Sequence, residues 1–285
     1  MTAPRPLLAS ARKQLDEAGV DSPDADAAIL LAHVLDTDRS RLFLVDDVSE
    51  DHEKTYAALL ARRAEREPLQ HLTGVAYFRH VELAVGPGVF VPRPETELLA
   101  GWAIERATEI DHPVVVDLCT GSGAIAKSIA DEVPGAEVHA VELSEDAYPW
   151  AVRNLTGTGV DLRPGDMADE FADLDGTVDV LVCNPPYIPL EAWESVAAEA
   201  RDHDPDLALF SGQDGLDAIR VLERRAAELL RPGGVVGFEH ADEQGPNADN
   251  GGAPAVFAAT GRWQDVRDHL DLAGRPRFTT AQLAP

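Results

Sequence analysis

Four consecutive residues, Asn184-Pro185-Pro186-Tyr187, concentrate the chemistry this chain can do. They follow Val178-Asp179-Val180-Leu181-Val182-Cys183, an apolar run that reads as a buried strand ending where the prolines begin. Proline has no N–H to give a sheet, so the backbone must leave it here with its carbonyls free to accept. Asn184 adds a side-chain acceptor and donor, and Tyr187 adds a flat ring. Two acceptors beside an aromatic face suit a planar –NH2 group, either an amide or the exocyclic amine of a base.

Other residues indicate what would react with such a group. Val114 to Leu118 reads as a strand, Cys119-Thr120-Gly121-Ser122-Gly123 as a turn, and Ala124 to Asp131 as a helix. Gly121 and Gly123 let the backbone turn tightly and approach a ligand, and the helix offers unpaired N–H groups to a carboxylate. The dinucleotide fingerprint G-x-G-x-x-G is not met, because its third glycine position is Ala126. Glu142 ends the next strand, where an acid can accept from both hydroxyls of a ribose; the competing reading is an ordinary exposed strand-end carboxylate. Asp166, ending a third strand, is placed to accept from an adenine amine with Met167 packed on the ring, or else is a loop aspartate near a buried methionine. Together these are the fittings of an S-adenosylmethionine site, with Asn-Pro-Pro-Tyr facing the methyl group.

The elements that must position these residues follow from periodicity. In residues 1–75, Leu7, Leu8, Ala11, Leu15 and Ala18 fall at helical spacing up to Gly19. Ser22-Pro23 opens a second helix, Ser22 as its cap, with the stripe Ala28, Ile29, Ala32, Leu35; Ser49 opens a third with Tyr56, Leu59 and Leu60. Arg62, Arg63 and Arg66 in its last turns are read as offsetting the helix dipole, a docking patch being the alternative. Residues 76–92 form a β-hairpin linker built on Val75–Phe78 and Val81–Val85. A helix through Leu98, Leu99, Trp102 and Ala103 is capped by Thr96 or Glu95. From 93 to 285 strands and helices alternate: strands at 114–118, 137–142, 160–162, 178–183 and 235–239, and helices at 124–131, 144–155, 191–200 and 216–230. Residues 201–205 are an acidic loop and 242–254 another loop; a helix at 255–259 and strands at 263–269 and 275–280 close the chain. The fold class is α/β: a Rossmann-like doubly wound sheet with a small N-terminal helical bundle and a β-hairpin linker. Ligands in such sheets bind beyond the carboxyl ends of the strands, where each motif above falls.

Composition narrows the partners. The chain of 285 residues carries 51 acidic against 24 basic side chains, net −27. Residues 1–90 account for only −5 of this, so the catalytic segment carries −22, without the basic stripe that gripping a phosphate backbone requires. The acidity reflects a salty cytoplasm or biased genome composition, or else is tuned to a partner. No apolar run reaches the ~20 residues of a membrane span, and Met1-Thr2-Ala3-Pro4-Arg5 lacks a signal-peptide core. Cytoplasmic location is expected, as a monomer with no membrane association and no direct contact with nucleic acid. No metal site is expected from the scattered histidines. Cys119 and Cys183 end strands this fold sets side by side, so their thiols are either a close pair or two small apolar core residues.

Beyond these readings the chain resembles the peptide chain release factor N5-glutamine methyltransferases, the HemK-type family. The resemblance is carried by Phe90-Val91-Pro92-Arg93-Pro94-Glu95-Thr96-Glu97, by Asp117 to Ala126, by Asn184-Pro185-Pro186-Tyr187-Ile188, by Asp204-Pro205-Asp206-Leu207-Ala208-Leu209, and by Glu67-Pro68-Leu69-Gln70-His71-Leu72-Thr73-Gly74. Asn-Pro-Pro-Tyr alone is shared with N6-adenine methyltransferases; Pro-Arg-Pro-Glu-Thr-Glu points to this family. The resemblance implies that Cys119, Thr120, Gly121, Ser122, Gly123, Glu142, Asp166, Met167 and Asn184 line the cofactor site. It implies that Asn184, Pro185, Pro186 and Tyr187 hold and activate a glutamine, and that the bundle helps dock a class I release factor whose Gly-Gly-Gln loop is methylated. Cys119 stands where many relatives have glycine, Glu142 where aspartate is commoner, Met167 where some have an aromatic, and the 242–254 loop is longer than usual. Two other readings stand beside it: an adenine methyltransferase acting on nucleic acid, disfavoured by the charge, and a silent α/β binding domain.

Overall fold

The computed structural model describes residues 2–249 and 251–285. In chain order its elements are α1 (Pro4–Glu17), α2 (Pro23–Val34), α3 (Glu50–Ala64), α4 (Leu69–Thr73), β1 (Val75–Phe78), β2 (Val81–Ala84), α5 (Thr96–Thr108), β3 (Val114–Asp117), α6 (Ala124–Glu132), β4 (Glu137–Glu142), α7 (Tyr148–Leu155), β5 (Asp161–Pro164), β6 (Val178–Cys183), α8 (Ala198–His203), α9 (Asp206–Leu209), α10 (Asp217–Leu229), β7 (Leu230–Glu239), α11 (Gly252–Ala258), β8 (Trp263–Leu270) and β9 (Pro276–Leu283). They divide into two units. One comprises residues up to Val75 with 85–87 and 197–203, and the other holds 76–84, 88–196 and 204–285.

The first unit is helical, α1 to α4 with α8. Its core is Ala11 and Leu15 from α1, Ala27, Leu30 and Leu31 from α2, and Tyr56 and Leu60 from α3. The inward face of α2 is turned from the expected stripe, because 27–32 is apolar all round and periodicity alone cannot choose a face. Ala32 is buried as expected, but Ala28 and Ile29 are only half-buried, while Tyr56 donates its hydroxyl to Ala27 O at 2.9 Å. Ser49 caps α3 by accepting from His52 N–H at 3.2 Å, whereas Ser22 makes no side-chain cap on α2.

Arg62 and Arg63 lie in the last turn of α3, as dipole compensation expects, but the side chains of the cluster are also committed to specific partners. Arg63 is buried and donates to Asp26 at 2.7 Å, to Glu199 at 2.8 Å and to Glu67 O at 2.9 Å. Arg62 pairs with Glu67, and Arg66 with Glu199 and Gly19 O. These are ion pairs that fasten α3 to α2 and to α8. Removing one partner of such a buried pair is costly because the other charge stays desolvated.

The second unit is built on a seven-stranded sheet in the order β5-β4-β3-β6-β7-β9-β8. The first five run parallel; β9 adds antiparallel to β7, and β8 antiparallel to β9. The central strands are apolar on both faces: β6 is buried along its whole length, as a sheet covered on two sides demands. Helix α5 packs on β6 and β7 and α6 on β3 and β4, while α10 reaches β6 and β7 from its own layer with α11. The chain runs outward from β3 to β5, then returns to lay β6 on the other side of β3, so the order reverses between β3 and β6. Such a switch point opens a crevice at the carboxyl edge.

Several local expectations change. The helix expected at 191–200 is a 3₁₀ turn at Leu190–Ser195 followed by α8, because the extended backbone of Val196 divides the segment. The acidic loop at 201–205 is partly the end of α8, and within 242–254 Asp242–Gln244 forms a 3₁₀ turn and Gly252 already opens α11. Neither Thr96 nor Glu95 caps α5 with its side chain. Among the described residues no helix is long and apolar enough to cross a membrane.

Candidate active site

Three parallel strands end in an acid at the same edge: Asp117 on β3, Glu142 on β4 and Glu239 on β7. Asp117 is fully buried and accepts from Thr120 Oγ1 at 2.7 Å; burial pushes its carboxyl up to about 7, although N–H groups of Ala126 and Cys119 oppose the shift. One N–H at the head of α6, that of Ala126, is therefore turned to Asp117 and not to a ligand carboxylate.

The turn between β3 and α6 puts Gly121 at φ +56° and Gly123 at φ +85°, left-handed conformations that glycine adopts at no steric cost. Cys119 is not in that region, so cysteine in place of glycine imposes no strain there. Glu142 grips the turn: one carboxylate oxygen accepts from Gly121 N–H and the other from Ser144 N–H, both at 2.7 Å. Burial raises the Glu142 carboxyl above its ordinary range, against these two bonds. The carboxylate keeps acceptor capacity beyond these bonds and the Leu143 N–H that also faces it, and nothing stands within 4 Å of where a side chain on Gly121 would begin. Those two observations fit a ribose held by Glu142 over an open glycine turn. Gly165 N–H donates to Glu142 O at 3.0 Å, which sets Asp166 and Met167 beside this acid. Asp166 is exposed and closes its own turn by accepting from Ala168 N–H at 2.9 Å; Met167 is half-buried with its sulfur 3.7 Å from Cys119 Sγ. Cys119 and Cys183 are free thiols packed in the same core, and burial together with Cys119 raises the Cys183 thiol.

On the other side of β3, Asn184 leaves β6. Its Nδ2 donates to Thr96 Oγ1 at 3.3 Å, and Thr96 Oγ1 in turn donates to Glu239 Oε2 at 2.7 Å. With the –NH2 end engaged, Asn184 Oδ1 and Pro185 O have no donor among the described residues. Tyr187 donates its hydroxyl to Glu239 Oε1 at 3.0 Å, and burial with that carboxyl raises its pKa. The loop is anchored behind: Ile188 N–H donates to Leu209 O at 2.8 Å, Ser211 N–H to Ile188 O at 2.9 Å and Leu190 N–H to Gly212 O at 3.0 Å. The structure thus gathers residues 119–123, Glu142, Asp166, Met167 and Asn184–Tyr187 at the carboxyl ends of adjacent parallel strands.

The chain also matches known proteins. Residues 6–74 match the PrmC N-terminal domain and residues 115–203 a methyltransferase domain. A Streptomyces coelicolor protein named release factor glutamine methyltransferase is 58% identical over 97% of this chain and 97% of its own length. The chain belongs to the release factor glutamine methyltransferase family. A Streptomyces pristinaespiralis protein named 4-amino-L-phenylalanine/4-methylamino-L-phenylalanine methyltransferase is 42% identical over 92% of this chain and 91% of its own. The hMettl16 catalytic domain, solved in complex with MAT2A 3'UTR hairpin 6, shares the fold at a TM-score of 0.55, covering 84% of each chain at 12% identity.

In this member of the release factor glutamine methyltransferase family the separate motifs prove to be one assembly. Arg93 donates to Asp204 at 2.6 Å and lies over the Phe90 ring at 4.8 Å, joining the 90–97 segment to 204–209. Thr96 of the first segment holds Asn184, and Leu209 of the second holds Ile188. Sequence reasoning missed Glu239, noted only as the end of a strand. The shared pattern of an acid closing three apolar strands was the available signal. It also missed Gln244, assigned to a loop, which donates to Tyr187 O at 2.9 Å and to Asp214 O at 3.2 Å. Gly215, at φ +75°, lies so close beneath this loop that a Cβ would strike Tyr187 O and Gln244 Nε2. Gly215→Ala is expected to destabilise the fold by about 2 kcal/mol, combining left-handed strain with overpacking, and to lower transfer activity by displacing Tyr187. Urea unfolding and a turnover assay on the same protein check it.

Proposed function

We propose that this enzyme transfers a methyl group from S-adenosylmethionine to the side-chain amide nitrogen, N5, of the glutamine in the Gly-Gly-Gln loop of class I peptide chain release factors, in the cytoplasm. The observation that carries the proposal is the free acceptor pair of Asn184 Oδ1 and Pro185 O, found in a chain 58% identical to a protein named for that activity. Glu142 would hold the cofactor's ribose, residues 119–123 would form the turn beneath it, and Asp166 with Met167 would flank the adenine. The bound cofactor supplies an electrophilic methyl on a sulfonium sulfur.

An amide nitrogen is a poor nucleophile because its lone pair is delocalised into the carbonyl. Asn184 Oδ1 and Pro185 O, accepting one hydrogen each, would fix the –NH2 with its face toward the methyl group. As positive charge gathers on nitrogen, those two hydrogen bonds strengthen, which lowers the transition state more than the ground state. Holding the amide in line contributes by proximity. No base beside the amide is required, because a methylated amide nitrogen is acidic enough to lose its proton to water. Tyr187 would pack on the amide plane. The net charge of −22 after residue 90 argues against a nucleic-acid substrate for the same clamp.

Incubation with tritiated S-adenosylmethionine tests the reading, with four separate acceptors: a class I release factor, the same factor with its Gly-Gly-Gln glutamine changed to alanine, DNA, and 4-amino-L-phenylalanine. Label on the first alone is expected, at least tenfold above the glutamine-lacking factor. Label on DNA or on the free arylamine would replace the release factor as the substrate.

A further inference from the structure

The clamp has a support that its own motif does not contain. Thr96, at the head of α5, and Glu239, at the end of β7, are 4% and 1% exposed, so bulk solvent does not reach them. Their hydrogen bonds have a fixed direction. Glu239 accepts twice, from Thr96 Oγ1 at 2.7 Å and from Tyr187 Oη at 3.0 Å. Because the Thr96 proton is given to Glu239, its oxygen is left to accept from Asn184 Nδ2 at 3.3 Å. An asparagine side chain whose –NH2 is taken presents its carbonyl the other way.

We propose that Glu239 is a positioning residue for methyl transfer, acting through Thr96 to turn Asn184 Oδ1 toward the acceptor nitrogen and, in parallel, fixing the ring of Tyr187. The proposal rests on the reading of Asn184 as the substrate clamp. Nothing in it touches the methyl donor or the acceptor directly. An ionised carboxylate offers only acceptors, so its two oxygens receive both hydroxyl protons at once.

A protonated Glu239 breaks that arrangement. One of its oxygens then carries a proton, and either Thr96 or Tyr187 must rotate its own away. The groups facing the carboxyl are Thr96 and Glu95 at the head of α5, Tyr187 from the loop after β6, and Arg277 from β9. Burial is the largest influence and pushes the acid up to about 7; Thr96, Tyr187 and Arg277 oppose it and Glu95 reinforces it. The relay should therefore be intact above pH 7 and lost as the pH falls through that value. Glu239→Gln imitates the protonated form, since its amide –NH2 must face one of the two hydroxyls as a donor.

Two measurements test the relay. In turnover assays, Glu239→Gln should lower kcat at least tenfold while KM for the release factor and Kd for S-adenosylmethionine stay within twofold. The acid limb of its kcat–pH profile near 7 should vanish. Thr96→Val should match it, and Thr96→Ser, which restores the hydroxyl, should recover at least half the wild-type rate. Unchanged kcat in Glu239→Gln, or equal losses in Thr96→Ser and Thr96→Val, would overturn the relay. The second measurement needs no substrate: the Asn184 side-chain amide signals in ¹⁵N spectra of the free protein should shift with a midpoint near pH 7, and stop doing so in Glu239→Gln and Thr96→Val. A wild-type protein that shows this titration yet labels no release factor keeps the relay and discards the proposed substrate. Signals flat across pH 7 in the wild type discard the relay whatever the substrate is.

Discussion

Asn184→Ala is expected to slow methyl transfer about a thousandfold while leaving S-adenosylmethionine affinity within threefold of wild type. The magnitude follows from the kind of bond removed. A preorganised polar group aimed at charge that develops in the transition state is worth on the order of 10² to 10³ in rate when deleted, and here the amide also loses half of what orients it. The fold should bear the change. The lost bond to Thr96 is long, at 3.3 Å, and Thr96 keeps its stronger bond to Glu239 at 2.7 Å, so no buried hydroxyl is orphaned. The cofactor side is anchored independently, by Glu142 on Gly121 and Ser144. Single-turnover transfer of tritium to release factor, beside equilibrium dialysis of the cofactor, separates the two quantities. A rate within tenfold of wild type would remove Asn184 from the clamp. A parallel loss of cofactor affinity would make it a binding residue instead.

The contrast between what the sequence discloses and what it conceals follows the range of the interactions. The doubly wound sheet is legible because β3 and β6 are short, mostly apolar runs, β4 is a valine-bearing segment between helices, and each is set by its own residues. The Asn-Pro-Pro-Tyr turn and the glycine turn are legible for the same reason: proline and glycine dictate local backbone whatever surrounds them. The helix at 191–200 was not, since α8 belongs to the helical unit through Glu199 and its bonds to Arg63 and Arg66, partners more than 130 residues away. Arg63 misleads in the same way. At a helix end it looks like a dipole-compensating surface charge, and only the packing of α2 and α8 shows it to be buried. Thr96 reads as a cap because it stands at the head of α5, yet its hydroxyl is committed to Glu239, 143 residues away. Long-range polar partners leave no periodicity, and the site is assembled mostly from them.

The same reasoning isolates the cofactor side of the reaction. Glu142→Ala is expected to weaken S-adenosylmethionine binding about a hundredfold, with kcat at saturating cofactor close to wild type, the reverse of the Asn184→Ala pattern. Two losses combine. The carboxylate now satisfies the N–H groups of Gly121 and Ser144, and deleting it leaves both without that partner at a cost of about 1 to 3 kcal/mol for each buried group, so the glycine turn loosens. The acceptor capacity that fits the ribose hydroxyls goes as well, and hydrogen bonds to a charged acceptor are the stronger kind. Glu142→Gln distinguishes the contributions: it keeps the length of the arm but must set an amide –NH2 against one of the two backbone donors, so an intermediate loss of about tenfold is expected. Acid should reproduce the effect in the wild type. Burial raises the Glu142 carboxyl, and both the backbone N–H groups and the ribose hydroxyls need it ionised. Cofactor affinity should therefore fall as the pH drops through that raised value, beginning at a higher pH than an ordinary glutamate would allow, and Glu142→Gln should show no such fall. Isothermal titration of S-adenosylmethionine across pH, with the two variants alongside, decides it: equal affinity in Glu142→Ala and wild type would mean that the acid shapes the turn without holding the ribose.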